Sequence, residues 1–112
     1  MSLPEIPDFV LNKRATIKRR QGNGFVKIYE GVPCRLGKAN IVAATSDGWI
    51  TGQIERWRMI VRYKDENGDI YDIRPEDIVE VDNEEYTVLA VQNAEMADHH
   101  FEIDLERFED AA

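Results

Sequence analysis

Two adjacent histidines, His99 and His100, are the residues of this 112-residue sequence that most directly invite metal chemistry. They open a run that alternates His99, Phe101, Ile103 and Leu105 against His100, Glu102 and Asp104. Successive side chains of a strand point to opposite faces, so the two neighbours cannot share one ion. His100, Glu102 and Asp104 do share a face, and would supply one nitrogen and two carboxylate oxygens to a divalent cation. Three alternating polar residues are equally the mark of a solvent-facing strand, and we read them that way, with no metal expected.

The other chemistry-bearing residues lack the company that catalysis needs. Seventeen Asp and Glu crowd residues 64–112, and no apolar setting singles out a pair for acid/base work. No serine sits in a Gly-x-Ser-x-Gly elbow. Cys34 is the single cysteine, which excludes an intrachain disulfide and a cysteine-rich zinc site, and nothing around it marks a nucleophile. Gln21-Gly22-Asn23-Gly24 has the glycines of a phosphate loop without the Gly-Lys-Ser/Thr that completes one, so it reads as a hairpin turn. The sequence therefore predicts no enzyme, no catalytic residues and no cofactor.

Binding is the remaining direction, and charge organises it. The net charge is −8, but residues 1–38 carry +5, residues 39–63 carry +1 and residues 64–112 carry −14. A basic front joined to an acidic back steers a chain toward an oppositely charged partner or toward other copies of itself. Lys18, Arg19, Arg20, Arg56, Arg58 and Arg62 are the candidates to face a neighbouring subunit or DNA, with Phe25, Tyr29 and Trp49 available to stack on bases. A chain with a pI near 4.7 is a poor free-standing DNA binder, because overall repulsion opposes encounter; brief contact with DNA driven through a pore is compatible with it. The alternative use of the cations is pairing with the acidic half, within one subunit or between two.

The elements that must position these residues are strands. Arg14 to Arg20 alternates loosely and suits a half-exposed strand. After the Gln21–Gly24 turn a second strand begins at Phe25, interrupted by Gly31 and Pro33 as a bulge or bend would interrupt it. Ile54 to Tyr63 is the clearest strand of the first half. Glu55, Trp57, Met59, Val61 and Tyr63 form its buried face, and Arg56, Arg58 and Arg62 line the other. Asn67-Gly68 is a strong hairpin signal, with Ile70, Tyr71 and Ile73 returning. Short strands follow at Asp77–Val81, at Tyr86–Val91, which is apolar on both faces and reads as the most central, and at His99–Leu105. Such regular spacing predicts an all-β, mainly antiparallel fold, a small β-barrel or sandwich with a long loop and an extended N-terminal arm. The arm is residues 1–13, docking through Phe9, Val10 and Leu11, on its own chain or a neighbour. The barrel is residues 14–107 with a long loop at 39–53, and residues 108–112 form a C-terminal tail. Nothing approaches the ~18 apolar residues of a membrane span, and Met1–Asp8 lacks the segments of a signal peptide, so an intracellular protein without membrane contact is expected.

Arg14-Ala15-Thr16-Ile17, Arg58-Met59-Ile60-Val61-Arg62-Tyr63, Asp77 to Val88 and the closing Phe101-Glu102-Ile103-Asp104-Leu105 fall in an order that resembles the head-tail joining, or head-closure, proteins of tailed bacteriophages. The resemblance spans roughly residues 13–106 and is one of element order and residue type, with residues 39–53 departing from it. It implies a small β-barrel assembled as a ring, commonly of twelve subunits, with the portal or adaptor protein above and a tail or tail-terminator protein below. Such a ring bridges head to tail and touches packaged double-stranded DNA transiently, in the virion at the head-tail interface and in the host cytoplasm during assembly. In that family a long loop projects into the channel as a plug. Here the candidate residues are Ile41, Val42, Thr45, Ser46, Asp47, Trp49 and Ile50, in a loop whose extended reach out and back is about 20 to 25 Å. Two alternatives stay open: a tail-side completion or terminator ring, and a small intracellular nucleic-acid-binding β-barrel.

Overall fold

The computed structural model describes residues 6–7, 9–43, 52–93 and 99–110. Six strands make up the regular structure: β1 (Lys13–Gln21), β2 (Gly24–Ala43), β3 (Gly52–Arg62), β4 (Ile78–Val81), β5 (Glu84–Asn93) and β6 (His100–Asp110). All neighbours are antiparallel, and the sheet closes on itself in the order β1-β2-β3-β6-β5-β4. Of the two all-β architectures the sequence allows, the chain adopts the barrel, which leaves no stave at the edge of the sheet.

Alternation sets which side chains fill it. Ala15 and Ile17 from β1, Val32 and Cys34 from β2, Met59 and Val61 from β3, Val79 and Val81 from β4, Tyr86 and Val88 from β5, and Ile103 and Leu105 from β6 form one buried cluster. On β3 the buried face is the one that alternation assigns. β2 serves two neighbours in succession, β1 along Gly24–Cys34 and β3 along Cys34–Ala43. To do so it must bend, and the register with β1 slips beside Gly31, whose φ of 65° is the left-handed geometry a glycine adopts without strain. The β4–β5 connection is a two-residue turn with Asp82 and Asn83 both at positive φ, the type I′ geometry whose twist suits a hairpin.

Several expectations from the sequence are corrected. Both ends of the segment expected as a loop at 39–53 are strand: β2 runs on to Ala43 and β3 starts at Gly52, with Ile41 opposite Glu55 and Val42 opposite Ile54. Backbone ladders need no apolar/polar alternation, and the β-branched pair Ile41-Val42 favours extension, so the strand outlasts its pattern. Ile41 and Val42 are thus strand residues, while Thr45, Ser46, Asp47, Trp49 and Ile50 lie outside the described residues. The expected tail is also strand as far as Asp110, which pairs with Gly52.

The strand expected at Ile70–Ile73 reduces to a single Lys64–Ile70 bridge. Tyr71 and Ile73 are buried from an irregular segment that ends at Pro75, a residue with no N–H to give a ladder. β5 is not central, because a closed barrel has no centre. Its register slips between Val88 and Ala90, leaving Leu89 exposed. In the arm, Leu11 is fully buried within its own chain, Val10 is half-buried and Phe9 is exposed.

Candidate subunit interface

The six basic candidates do not form one patch. Arg56 and Arg58 stand together on the outer face of β3, half-exposed, directly across from Glu106 and Asp104 of β6. They pair with those residues at 3.3 and 3.1 Å. On β1, Lys18 reaches Glu85 at 3.2 Å and Glu80 at 3.7 Å. Arg19 donates through Nε and Nη2 to the two oxygens of Asp77, at 3.0 and 2.8 Å, and through Nη2 to the Asp72 carbonyl at 2.7 Å. Arg20 lies over the Phe25 ring, 5.7 Å from its centroid. Arg62 turns to the arm and donates from Nη2 to the Ile6 carbonyl at 2.8 Å.

Topology explains this distribution. The barrel sets basic β1 beside β4 and the acidic residues that flank it, and basic β3 beside acidic β6, so closing the sheet brings the two charge halves of the sequence together. Each exposed pair contributes at most about 1 kcal/mol, and their main effect is to neutralise the surface locally. Much of the basic front is thereby matched inside one chain.

Among the described residues two carboxylates are buried, and each organises one part of the molecule. Asp77 takes the Arg19 fork and also accepts the Arg74 backbone N–H at 2.9 Å, which fixes the irregular segment leading into β4. Asp72 beside it is gripped by Arg74 at 3.0 and 2.8 Å, and those hydrogen bonds hold its carboxyl below the usual range. Glu55 sits on the inner face of β3, between the strands that run on past the barrel. Trp57 Nε1 donates to its Oε1 at 3.1 Å, Arg107 Nη1 to the same oxygen at 3.0 Å, and Lys38 Nζ lies 3.1 Å from Oε2. Burial alone would raise its pKa, but the donors from Trp57, Lys38 and Arg107 outweigh that and hold it at about 2. Arg107 continues to Glu84 at 2.8 Å.

Neither buried acid stands out in the sequence as a functional group, yet Glu55 leaves a signal: it is the one acidic residue on the apolar face of the clearest strand. A carboxylate there must find donors, and Lys38 and Arg107 arrive from the flanking strands.

The remaining chemistry-bearing residues are spread apart. His99 and His100 bring their Nδ1 atoms within 2.9 Å. His100 Nε2 is 3.7 Å from Glu102, while Asp104 turns to Arg58 and Gln92. Among the described residues no three His, Cys, Asp or Glu converge as a metal cluster. Burial pushes the Cys34 thiol up to about 12, which keeps it protonated and unreactive. A polar groove of about 530 Å³ opens where β2 diverges from the 64–70 turn; Arg14, Arg62 and Lys64 face Glu30, Asp65 and Glu66 around a floor of Tyr29 and Tyr71. Its charges balance, and two of its arginines are spent on arm carbonyls, Arg14 on that of Leu11 and Arg62 on that of Ile6.

This barrel is similar to a chain in a solved structure described as the virion of a native gene transfer agent (GTA) particle. The TM-score is 0.64 at 15% identity, and the match covers 89% of this chain and 96% of that one. At that identity the likeness is one of fold. No family model matches the sequence, and no curated protein matches it.

Proposed function

We propose that the chain is a structural subunit of a phage-like particle, a head-tail connector of the head-closure kind. It assembles with copies of itself into a ring, as the resemblance implies a dodecamer, between a portal or adaptor and the tail, and it helps retain and pass packaged double-stranded DNA. The observation that carries this reading is the barrel itself, matched along nearly the whole length of a chain from a gene transfer agent virion. The strand order in the sequence that resembles head-closure proteins supports the same reading independently of that fold likeness.

We assign roles to its elements on this reading. The β2–β3 hairpin, with Ile41 and Val42 in its strands, is the segment offered to the channel. Arg56 and Arg58, half-exposed and already neutralised by Glu106 and Asp104, suit a wall that lets DNA slide rather than one that grips it. Arg20 and the exposed Phe25 and Val26, at the tip of the β1–β2 hairpin, are offered to a neighbouring subunit.

Titration of the purified protein with duplex and single-stranded DNA at several salt concentrations tests the reading. Weak binding is expected. Tight, salt-sensitive binding by the free protein would overturn the connector in favour of a nucleic-acid-binding barrel.

A further inference from the structure

Three strands outrun the barrel. β1 leaves β2 at Cys34 and β5 leaves β6 at Glu106, so β2, β3 and β6 continue as a three-stranded arm of residues 39–43, 52–56 and 107–110. The direction of such a ribbon relative to the staves is not set by backbone pairing alone. Glu55 lies at its root with a side chain only 4% exposed. Its donors come one from each strand that enters the arm: Lys38 on β2, Trp57 on β3 and Arg107 on β6. Two of those donors also touch β5, the stave that stops short. Arg107 meets Glu84 at 2.8 Å, and the Trp57 ring meets Tyr86 edge-on at a centroid distance of 5.5 Å.

We propose that Glu55 is a clasp that ties the β2–β3–β6 arm to the barrel and fixes where the arm points. The inference rests on the proposed function only for its purpose: a segment offered to a channel must be aimed, and the clasp aims it. A neutral or absent acceptor leaves two cations facing each other at the root, which loosens the arm.

Amide hydrogen exchange on the full-length free chain reads this directly. Glu55→Gln, which keeps the shape and an acceptor oxygen, is expected to speed exchange about tenfold in residues 39–43, 52–56 and 107–110 through an opening that urea barely promotes, while amides at Val61, Val88 and Ile103 exchange only through an opening with the full urea dependence of unfolding. Lys38→Gln, which removes one donor, is expected to give a smaller acceleration in the same residues, again with little urea dependence, and it supplies the reading if Glu55→Gln does not fold. Unchanged exchange in the arm, or arm amides that exchange with the same urea dependence as those of Val61, Val88 and Ile103, would overturn the clasp. Because the free chain is used, this result is independent of whether particles carry the protein at the head-tail junction.

Discussion

Replacing Glu55 by glutamine should lower stability by an amount that disappears in acid. The carboxyl is held at about 2 against an ordinary value of 4.5. A shift of that size corresponds to about 3 kcal/mol at most. Desolvating the carboxylate and its two cationic partners offsets part of that, which leaves about 1 to 3 kcal/mol. The sign follows from the direction of the shift. A carboxyl depressed on folding stabilises the protein fully above its unfolded value of 4.5, and the contribution is lost as the pH falls through about 2. Urea unfolding of both proteins from pH 7 to pH 2.5, followed by the fluorescence of Trp57 beside the site, measures the gap between them. Other carboxylates titrate in both proteins and cancel in the difference. The gap should be constant from pH 7 to about pH 5.5 and narrow to about 1 kcal/mol or less at pH 2.5. An equal gap at pH 7 and pH 2.5, or a glutamine variant as stable as wild type at pH 7, would refute the reasoning. The latter would mean that desolvating the charges costs as much as their pairing returns.

The remaining predictions use other parts of the barrel. Asp77→Ala leaves the Arg19 fork and the Arg74 N–H without their acceptor and should cost about 3 kcal/mol, read as a lower urea midpoint at unchanged slope; a cost below about 1 kcal/mol would contradict it. Gly31→Ala should cost about 1 kcal/mol, although its Cβ would meet nothing, because the φ of 65° is strained for any L side chain; a stabilised variant would show that the β2 bend relaxes. Cys34 should resist a thiol reagent at pH 8 in the folded state and react on unfolding, and rapid labelling of the native protein would contradict its burial.

How much the sequence revealed depended on how local each signal was. The Gln21–Gly24 turn, the Asn67-Gly68 turn and the buried face of β3 are written in neighbouring residues, and each is found where the pattern puts it. The bend of β2 at Gly31 was legible for the same reason. The ends of the strands were not. At Ile41-Val42-Ala43 and at Arg107–Asp110 alternation fades, yet the ladder continues, because pairing there is decided by the partner strand and not by side-chain pattern.

The fate of the charges was the least legible part. A split of +5 and −14 suggests surfaces reaching outward, but only the closure of β1 on β4 and β3 on β6 decides that Lys18, Arg19, Arg56 and Arg58 meet acids of their own chain. Glu55 was visible as an anomaly on an apolar face, while its donors, one from each of three strands, required the fold.

The central claim is the position of the subunit in a particle. Tailed, DNA-filled particles assembled with this chain carrying a C-terminal label can be imaged by electron microscopy and averaged about the tail axis. Label density in a ring at the junction of head and tail is predicted. Label on the capsid shell, along the tail, or absent from the particles would contradict the account.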